Sequence, residues 1–360
     1  MKQIFFFSLV SVILIFSCQQ KPLGSHNDEM QFSDDIKRIF SDSSFWNTPI
    51  AENPEIDPSS NRFIELLKNE PTGARIGINL YKFTIPVYEA DSTTPLYRVG
   101  KVALTEEDKK HFMVDHMYFG HGKEFDSEPV PIPDNALPDP YNDAHMVIID
   151  RHRRLVWDMW GAEKKEDGQW VSKTGMRYEL DGEGVFDREE LGIKDGESVH
   201  FYGPGRAAGV PVIAGLIMYD EVIKGEIRHK LAIATRFNAF RDFVYPATGT
   251  DGFTPGGIPE GAIIQLDPTL NLSQFDLLPG ELAVAKALQQ YGAVVVDLAG
   301  GSVLYAEQLK HHAGRSWEGI LRDYQGGINT IPLDYFRVLK LENIRHNGDV
   351  HFYYSNFLRQ

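Results

Sequence analysis

Cysteine is almost absent from this chain: Cys18 is the only one among 360 residues. A single thiol can form neither an internal disulfide nor a metal site built from several cysteines, so stability has to come from the hydrophobic core. Hydrophobic residues make up 42% of the chain and aromatic residues 12%, a composition that excludes an intrinsically disordered protein. The sequence therefore predicts a folded protein stabilised by packing.

Positive charge is also scarce, with 36 lysines and arginines against 51 acidic residues and a net charge of -15. No basic stripe is available to neutralise phosphates, so nucleic acid is excluded as an expected partner. The chain also lacks G-x-S-x-G, H-E-x-x-H, a P-loop and a G-x-G-x-x-G after a strand. Standard serine hydrolases, zincins, kinases and dinucleotide enzymes are therefore disfavoured, and we expect no cofactor.

Long hydrophobic runs are missing except at the start, where residues 4–16 are apolar apart from serines. This run is too short to cross a bilayer and has the length of a signal-peptide core. It ends in "IFSC", which resembles a bacterial lipobox, although an ordinary signal peptide with an incidental cysteine is the alternative. We predict a lipoprotein signal peptide at 1–17, lipidated Cys18 and a tether at 18–31. The expected location is the cell envelope, at the outer membrane, with membrane contact through the lipid anchor only.

The rest of the chain, 32–360, contains no linker rich in Pro, Gly or Ser and is predicted to be a single globular domain. Apolar and turn patterns predict helices at 33–40, 58–70, 210–225 and 279–292. Alternating or β-branched segments predict strands at 78–90, 95–104, 142–164, 226–235 and 293–297. Because helices and strands do not alternate regularly, we expect a mainly β fold with peripheral helices, either a β-sandwich or a jelly roll.

The predicted hairpin at 142–164 places His145 at its mouth, and the strand register decides what His145 meets. If Ile149 lies opposite Leu155, His145 faces Met159 and shares a side with Trp157. A shift by one residue makes His145 face Trp160 and share a side with Asp158. Only this second register combines a histidine tuned by a carboxylate with an aromatic platform, as a sugar-cleaving site requires. A purely structural histidine at a strand end remains the alternative.

Other candidates stand on predicted strands and turns. His229 occupies the apolar face of its strand, and Tyr245 ends a strand before a loop of small residues. Each is either a catalytic group or a packed side chain. Arg177 and Glu179 share a strand face, as a salt bridge or an anion-binding pair. Arg206 precedes a predicted helix N-terminus, where an anionic group could bind.

Three histidines, His111, His116 and His121, are spaced five apart. That spacing places their side chains on different faces of a helix or a strand, whereas zinc ligands on a helix need a spacing of three or four. We therefore predict no metal site, unless loop geometry brings the three together.

Several segments resemble a family of secreted bacterial proteins to which we attach no activity. They are "FWNTPI", "DAHMVIID" followed by "VWDMWGA", "AAGVPVIAGLIMYDEVIKGEIRH", "FVYPAT" and "LQQYGAVVVD". The resemblance covers most of residues 45–300. It implies an exported, β-rich single domain and adds nothing on mechanism.

Taken together, these features favour a surface lipoprotein acting on a polysaccharide or oligosaccharide. The expected acid and base are His145 with His229 or Tyr245, and the expected stacking platform is Trp157 or Trp160. Two alternatives are a glycan-binding lipoprotein without catalysis and a structural envelope protein. Convergence of the three acid–base candidates in one pocket would favour the enzyme.

The reaction itself remains open between two classes. A glycoside hydrolase needs two carboxylates about 5 to 9 Å apart, for which Asp158 and Glu179 are the candidates. A polysaccharide lyase needs a base and a cation, Arg177 or Arg206, to neutralise the carboxylate of a uronic acid.

Overall fold

The computed structural model describes residues 38–102, 120–187, 191 and 204–346, and β-strands dominate them. The four α-helices in this part of the chain are α1 (Ser60–Lys68), α2 (Lys123–Ser127), α3 (Tyr219–Lys224) and α4 (Pro279–Gln290). Its strands are β1 (Gly77–Asn79), β2 (Val87–Glu89), β3 (Leu96–Tyr97), β4 (Gly100–Lys101), β5 (Val130–Pro131), β6 (Met146–Asp150), β7 (Leu155–Trp160), β8 (Glu163–Lys164), β9 (Trp170–Ser172), β10 (Thr174–Glu179), β11 (Leu231–Thr235), β12 (Asn238–Phe243), β13 (Ile258–Glu260), β14 (Ile263–Leu266), β15 (Ala293–Leu298), β16 (Val303–Tyr305), β17 (Phe336–Val338) and β18 (Arg345–His346). The predicted mainly β fold is thus confirmed.

Two sheets build the centre of the molecule. The larger has six strands in the order β1-β16-β11-β15-β14-β17, and the smaller has four in the order β10-β7-β6-β2. One apolar cluster contains residues of both sheets, among them Val147, Ile149, Ala232, Val294 and Val296. The two sheets therefore share one apolar core, which the loop at 208–216 also enters.

The hairpin of β6 and β7 shows why the sheets meet in this way. Ile149 pairs with Val156, and successive side chains point to opposite faces. Val147, Ile149 and Val156 enter the layer between the sheets, whereas Ile148 and Trp157 join a separate core on the outer face.

Helices cover the other face of the six-stranded sheet. Leu67 of α1 and Leu288 of α4 pack with Leu231 and Ile233 of β11 in one large core. Helix α4 begins at Pro279, as the sequence predicts, and ends before Gly292, whose φ of +75° suits the turn that stops a helix. The helices predicted at 58–70 and 279–292 are confirmed.

The helix predicted at 210–225 is wrong over most of its length, because only Tyr219–Lys224 is helical. Residues 204–218 form turns, whose backbone bonds both within the segment and to the six-stranded sheet. Gly215 has a φ of +71°, and a Cβ there would lie 2.4 Å from the backbone nitrogen of Ala232. The apolar run is buried because it lies between the sheets, and burial alone does not distinguish a helix from a packed loop.

Residues 38–40 are not helical either, and the remainder of the helix predicted at 33–40 lies outside the described residues. All described residues belong to one compact unit. Among them, no helix is both long enough and apolar enough to cross a membrane.

Candidate functional site

A group of buried ionisable side chains interrupts the apolar layer between the two sheets. Arg206 has no exposed surface, and its Nη1 donates to Asp297 Oδ2 at 2.8 Å. The Tyr305 hydroxyl donates to the same oxygen at 2.9 Å, and its ring centroid lies 3.9 Å from Arg206 Cζ. The backbone N–H of Ala207 donates to Asp297 Oδ1 at 2.8 Å. Asp297 is thus oriented by three donors, one of them a cation.

The loop at 204–214 carries Arg206 into this position by binding to both sheets. Ala208 N donates to the carbonyl of Val296 at 2.9 Å on the six-stranded sheet. Val212 N donates to Asp158 Oδ2 at 2.8 Å on the four-stranded sheet. Arg206 Nη2 closes the loop with a 3.1 Å hydrogen bond to Val212 O. The predicted role of Arg206 at a helix N-terminus is therefore wrong, because no helix follows and its guanidinium is already bound.

Asp143 approaches the cluster from the segment just before β6. Backbone bonds from Gly161 to Asp143 and from Ala162 to Ala144, 2.9 and 3.0 Å long, tie this segment to the end of β7. Burial, followed by the negative charge of Asp297, raises the pKa of the Asp143 carboxyl above its usual range, and a hydrogen bond from the Trp160 indole opposes this. The pKa of Asp143 is therefore shifted in the direction that favours its protonated form, beside the carboxylate of Asp297.

A cavity of about 360 Å³ opens onto Asp143 and Tyr305. Its rim presents two aromatic rings, Phe83 and Tyr324, whose exposed fractions are 41% and 42%. The full lining is Thr72, Arg75, Asn79, Phe83, Asp143, Leu298, Ala299, Gly300, Gly301, Ser302, Val303, Tyr305 and Tyr324. The cavity thus combines aromatic surface, a cation, an amide and a carboxyl group with a raised pKa, a combination typical of small-ligand sites.

Local sequence explains the position of the Tyr324 ring. A Cβ at Gly77 would lie 2.4 Å from its Cε1 atom, so only glycine at this position leaves room for the ring. The Tyr324 hydroxyl donates to Asn79 Oδ1 at 2.7 Å, and Asn79 is itself buried in β1.

The hairpin adopts the second of the two registers considered above. Met146 pairs with Met159, and continuing this register places His145 opposite Trp160. Both side chains lie against Gly205, where a Cβ would be 3.5 Å from His145 Cε1 and 3.3 Å from Trp160 Cβ.

The surroundings of His145 nevertheless do not support the acid–base role predicted for it. Burial and the nearby Arg206 lower the pKa of His145 to about 3, so the ring is neutral and cannot act as an acid at neutral pH. Asp158 does not orient it, because this carboxyl accepts from Val212 N and meets the Tyr178 hydroxyl. Burial raises the pKa of Asp158 to about 7. Both groups lie behind the cavity and not in its lining.

The remaining candidates on this hairpin and β10 do not line the cavity. Trp157 is fully buried in the core on the outer face, where no sugar could stack on it. Trp160 is half-buried and bonds to Asp143. Arg177 pairs with Glu128 and Glu124 and not with Glu179.

Asp158 and Glu179 cannot form the expected carboxylate pair. Asp158 lies opposite Met176 and faces the inner layer, whereas Glu179, three residues further along β10, points to the other face and is exposed. The two carboxylates are therefore separated by the sheet.

His229 and Tyr245 occupy two further places. His229 Nε2 lies 3.0 Å from Glu221 Oε2, just before β11. Tyr245 is 60% exposed and lines a second cavity of about 850 Å³ together with Phe45. Neither residue lines the Asp143 cavity or contacts His145 in the described structure, so the three expected acid–base residues do not converge.

His121 is buried, with Nδ1 2.8 Å from Asp126 Oδ1 and Nε2 2.9 Å from Ser172 Oγ. His111, His116 and Cys18 lie outside the described residues. In the ranges that the structure covers, no three His, Cys, Asp or Glu side chains are grouped as metal ligands would be.

Sequence reasoning missed Asp143, Asp297 and Tyr305. Two of them stood in segments already singled out, since Asp143 opens "DAHMVIID" and Asp297 closes "LQQYGAVVVD". An acidic residue at the end of an apolar strand was the available signal.

No protein-family model, curated protein or solved structure matches this chain. The resemblance to secreted bacterial proteins therefore stays a prediction.

Proposed function

We propose that this protein is a glycoside hydrolase acting on polysaccharide or oligosaccharide, with its site in the Asp143 cavity. The observation that carries the proposal is the pair formed by Asp143 and Asp297, whose environments differ. Asp143 has a raised pKa, and Asp297 is bound to a buried arginine. A carboxyl with a raised pKa beside a carboxylate that is bound to a cation is the kind of pair that glycosidic cleavage requires.

In this proposal Asp143 is the general acid that protonates the leaving oxygen. Asp297 is the second carboxylate; it lies outside the cavity lining, contacts the lining residue Tyr305, and activates a water molecule that attacks the sugar. Arg206 and Tyr305 are positioning residues that hold Asp297 through the 2.8 and 2.9 Å bonds described above. Burial and the charge of Asp297 raise the pKa of Tyr305 well above its ordinary value, so its hydroxyl keeps the proton that it donates.

The aromatic rings of the cavity support a sugar substrate. Phe83 and Tyr324 expose ring surface on which the apolar face of a pyranose can stack. The two cations that the sequence offered to a lyase, Arg206 and Arg177, are both bound to internal acids. The predicted anchor at Cys18 would hold this site at the cell envelope, near polymeric glycans.

The test is to incubate the purified chain with a panel of neutral and uronic glycans and to measure new reducing ends. We expect cleavage, and we expect Asp143→Asn to reduce the rate about 100-fold or more. The loss should be smaller for an aryl glycoside, because a good leaving group needs no proton. Asp134→Asn is the matched control, since Asp134 is exposed and lies outside the cavity lining.

Other outcomes would replace the proposal. Unsaturated products detected by ultraviolet absorbance would establish a lyase. Binding without any product would favour a non-catalytic glycan-binding lipoprotein. Full activity in the Asp143→Asn variant would remove Asp143 from the mechanism.

A further inference from the structure

Arg75 is the cation of the proposed cavity, and its side chain has no partner among the described residues. No ion pair or hydrogen bond of its guanidinium is present there, although the chain carries an excess of acids. Arg206 and Arg177 differ in this respect, since each is bound to a carboxylate within 3.0 Å. Arg75 is thus available to an external anion.

The position of Arg75 is supported by the turn that precedes β1. Arg75 N donates to Gly73 O at 2.8 Å. The guanidinium folds back over Gly73, where a Cβ would lie only 3.2 Å from Nη2. Gly73 also has a φ of +93°, which disfavours any other residue. This turn places Arg75, whose side chain is exposed, in the cavity lining.

The nearest buried acid on the same segment is not available to Arg75. Glu70 accepts hydrogen bonds from the backbone of Ser302 at 2.6 Å and from the backbone of Arg236 at 3.0 Å. Both of its oxygens are thus used to join the segment to the six-stranded sheet.

We propose that Arg75 selects a sugar that carries a carboxylate, a uronic acid, in the Asp143 cavity. This inference rests on the proposed function and names its substrate class. The planar guanidinium can bind a carboxylate through two parallel hydrogen bonds, a geometry that a neutral hydroxyl cannot match. In a protein of net charge -15, an anionic substrate is repelled at long range, so a local cation is needed to retain it.

The test uses the full chain in detergent and titrates it with disaccharides of glucuronic, galacturonic and mannuronic acid. Each disaccharide is compared with its carboxyl-reduced counterpart. We expect at least one acid to bind about tenfold or more tightly than its reduced form. Arg75→Gln should abolish this preference by weakening binding of the acid toward that of the reduced sugar, whereas Arg75→Lys should keep part of it.

Arg98→Gln is the matched control, because Arg98 is exposed and does not line the cavity. Equal affinity for acid and reduced forms, a preference that survives Arg75→Gln, or no binding of either form would overturn the inference. A preference that depends on Arg75, without cleavage, would reject the hydrolase and keep the carboxylate site. Cleavage of neutral glycans with no preference for the acid would keep the hydrolase and reject the carboxylate site.

Discussion

The two faces of the six-stranded sheet are built in different ways. The face under α1 and α4 is packed by aliphatic side chains such as Leu67, Ile233 and Leu288. Its buried carboxylate Glu281 has a structural explanation, since it accepts from Leu278 N at the start of α4 and from Arg322. The face toward the four-stranded sheet begins with the same kind of apolar layer but then admits Arg206 and a group of acids.

This difference indicates which face serves function. Taking ions out of water costs several kcal/mol each, and a well-packed apolar replacement is often as stable as a buried ion pair. The helix-covered face shows that this sheet can be covered by aliphatic packing. The buried ionised side chains between the sheets are therefore better explained by a function in the adjoining cavity than by a contribution to stability.

The largest expected effect comes from Arg206→Met, which should lower the free energy of unfolding by about 3 to 5 kcal/mol. The variant leaves Asp297 without its cation in a largely buried place. Leu288→Ala, on the helix-covered face, should cost about 2 to 5 kcal/mol through the cavity it creates. Urea unfolding at constant pH measures both.

The two faces should differ in whether a second substitution, Asp297→Asn, restores stability. Adding Asp297→Asn to Arg206→Met removes the uncompensated charge and should recover a large part of the loss. In the Leu288→Ala background, where Arg206 is intact, the same change should destabilise further, because it leaves Arg206 without its carboxylate. If the pair Arg206→Met and Asp297→Asn is no more stable than Arg206→Met alone, charge burial does not distinguish the faces.

A second, smaller effect is pH dependence confined to the inner face. The folded pKa of Asp158, about 7, lies above its ordinary 3.8, so the folded state binds more protons than the unfolded state between these values. Its contribution to stability is therefore full at low pH and is lost as the pH rises from about 4 to about 7. Asp158→Asn should flatten that slope, which is at most about 1.4 kcal/mol per pH unit for one group.

The contribution of His145 to stability should change with pH in the opposite direction. Its pKa falls from 6.5 to about 3 on folding, so stability is full above pH 6.5 and is lost on acidification toward about 3. Urea unfolding of Asp158→Asn and of His145→Gln across this range separates the two effects. Curves parallel to that of the wild type would mean that neither group is buried as described.

The smallest expected effect is that of Trp160→Phe, which removes the indole donor to Asp143 and keeps an aromatic ring. Because that bond lowers the pKa of Asp143, its loss should move the limb of the pH–rate profile that reports the acid to higher pH. The rate at neutral pH should change less than tenfold. An unshifted profile, measured on the substrate found for the wild type, would assign Trp160 to packing alone.

Some of the fold could be predicted because short-range patterns decide it. Pro279 and Gly292 indicate where helix α4 begins and ends, and the apolar positions of α1 recur at helical spacing. The segment at 210–218 misled prediction, because a continuous apolar run is equally compatible with a buried helix and with a loop between two sheets.

For the candidate site, the hairpin sequence left two registers open, since the turn "RHRR" contains no glycine and specifies neither. Packing of Val147 and Val156 against the six-stranded sheet decides the register, which in turn places His145 beside Trp160. Burial then gives His145 a pKa that no motif could indicate.

The sequence by itself determined a mainly β protein, stabilised without disulfides, with strands and two helices readable from periodicity. Only the tertiary structure brought Asp143, Arg206 and Asp297 together, since Arg206 and Asp297 are 91 residues apart. The physical reason is that strand patterns record which face is apolar, whereas a site between sheets depends on register, loop course and burial. Those are long-range properties of the packed chain.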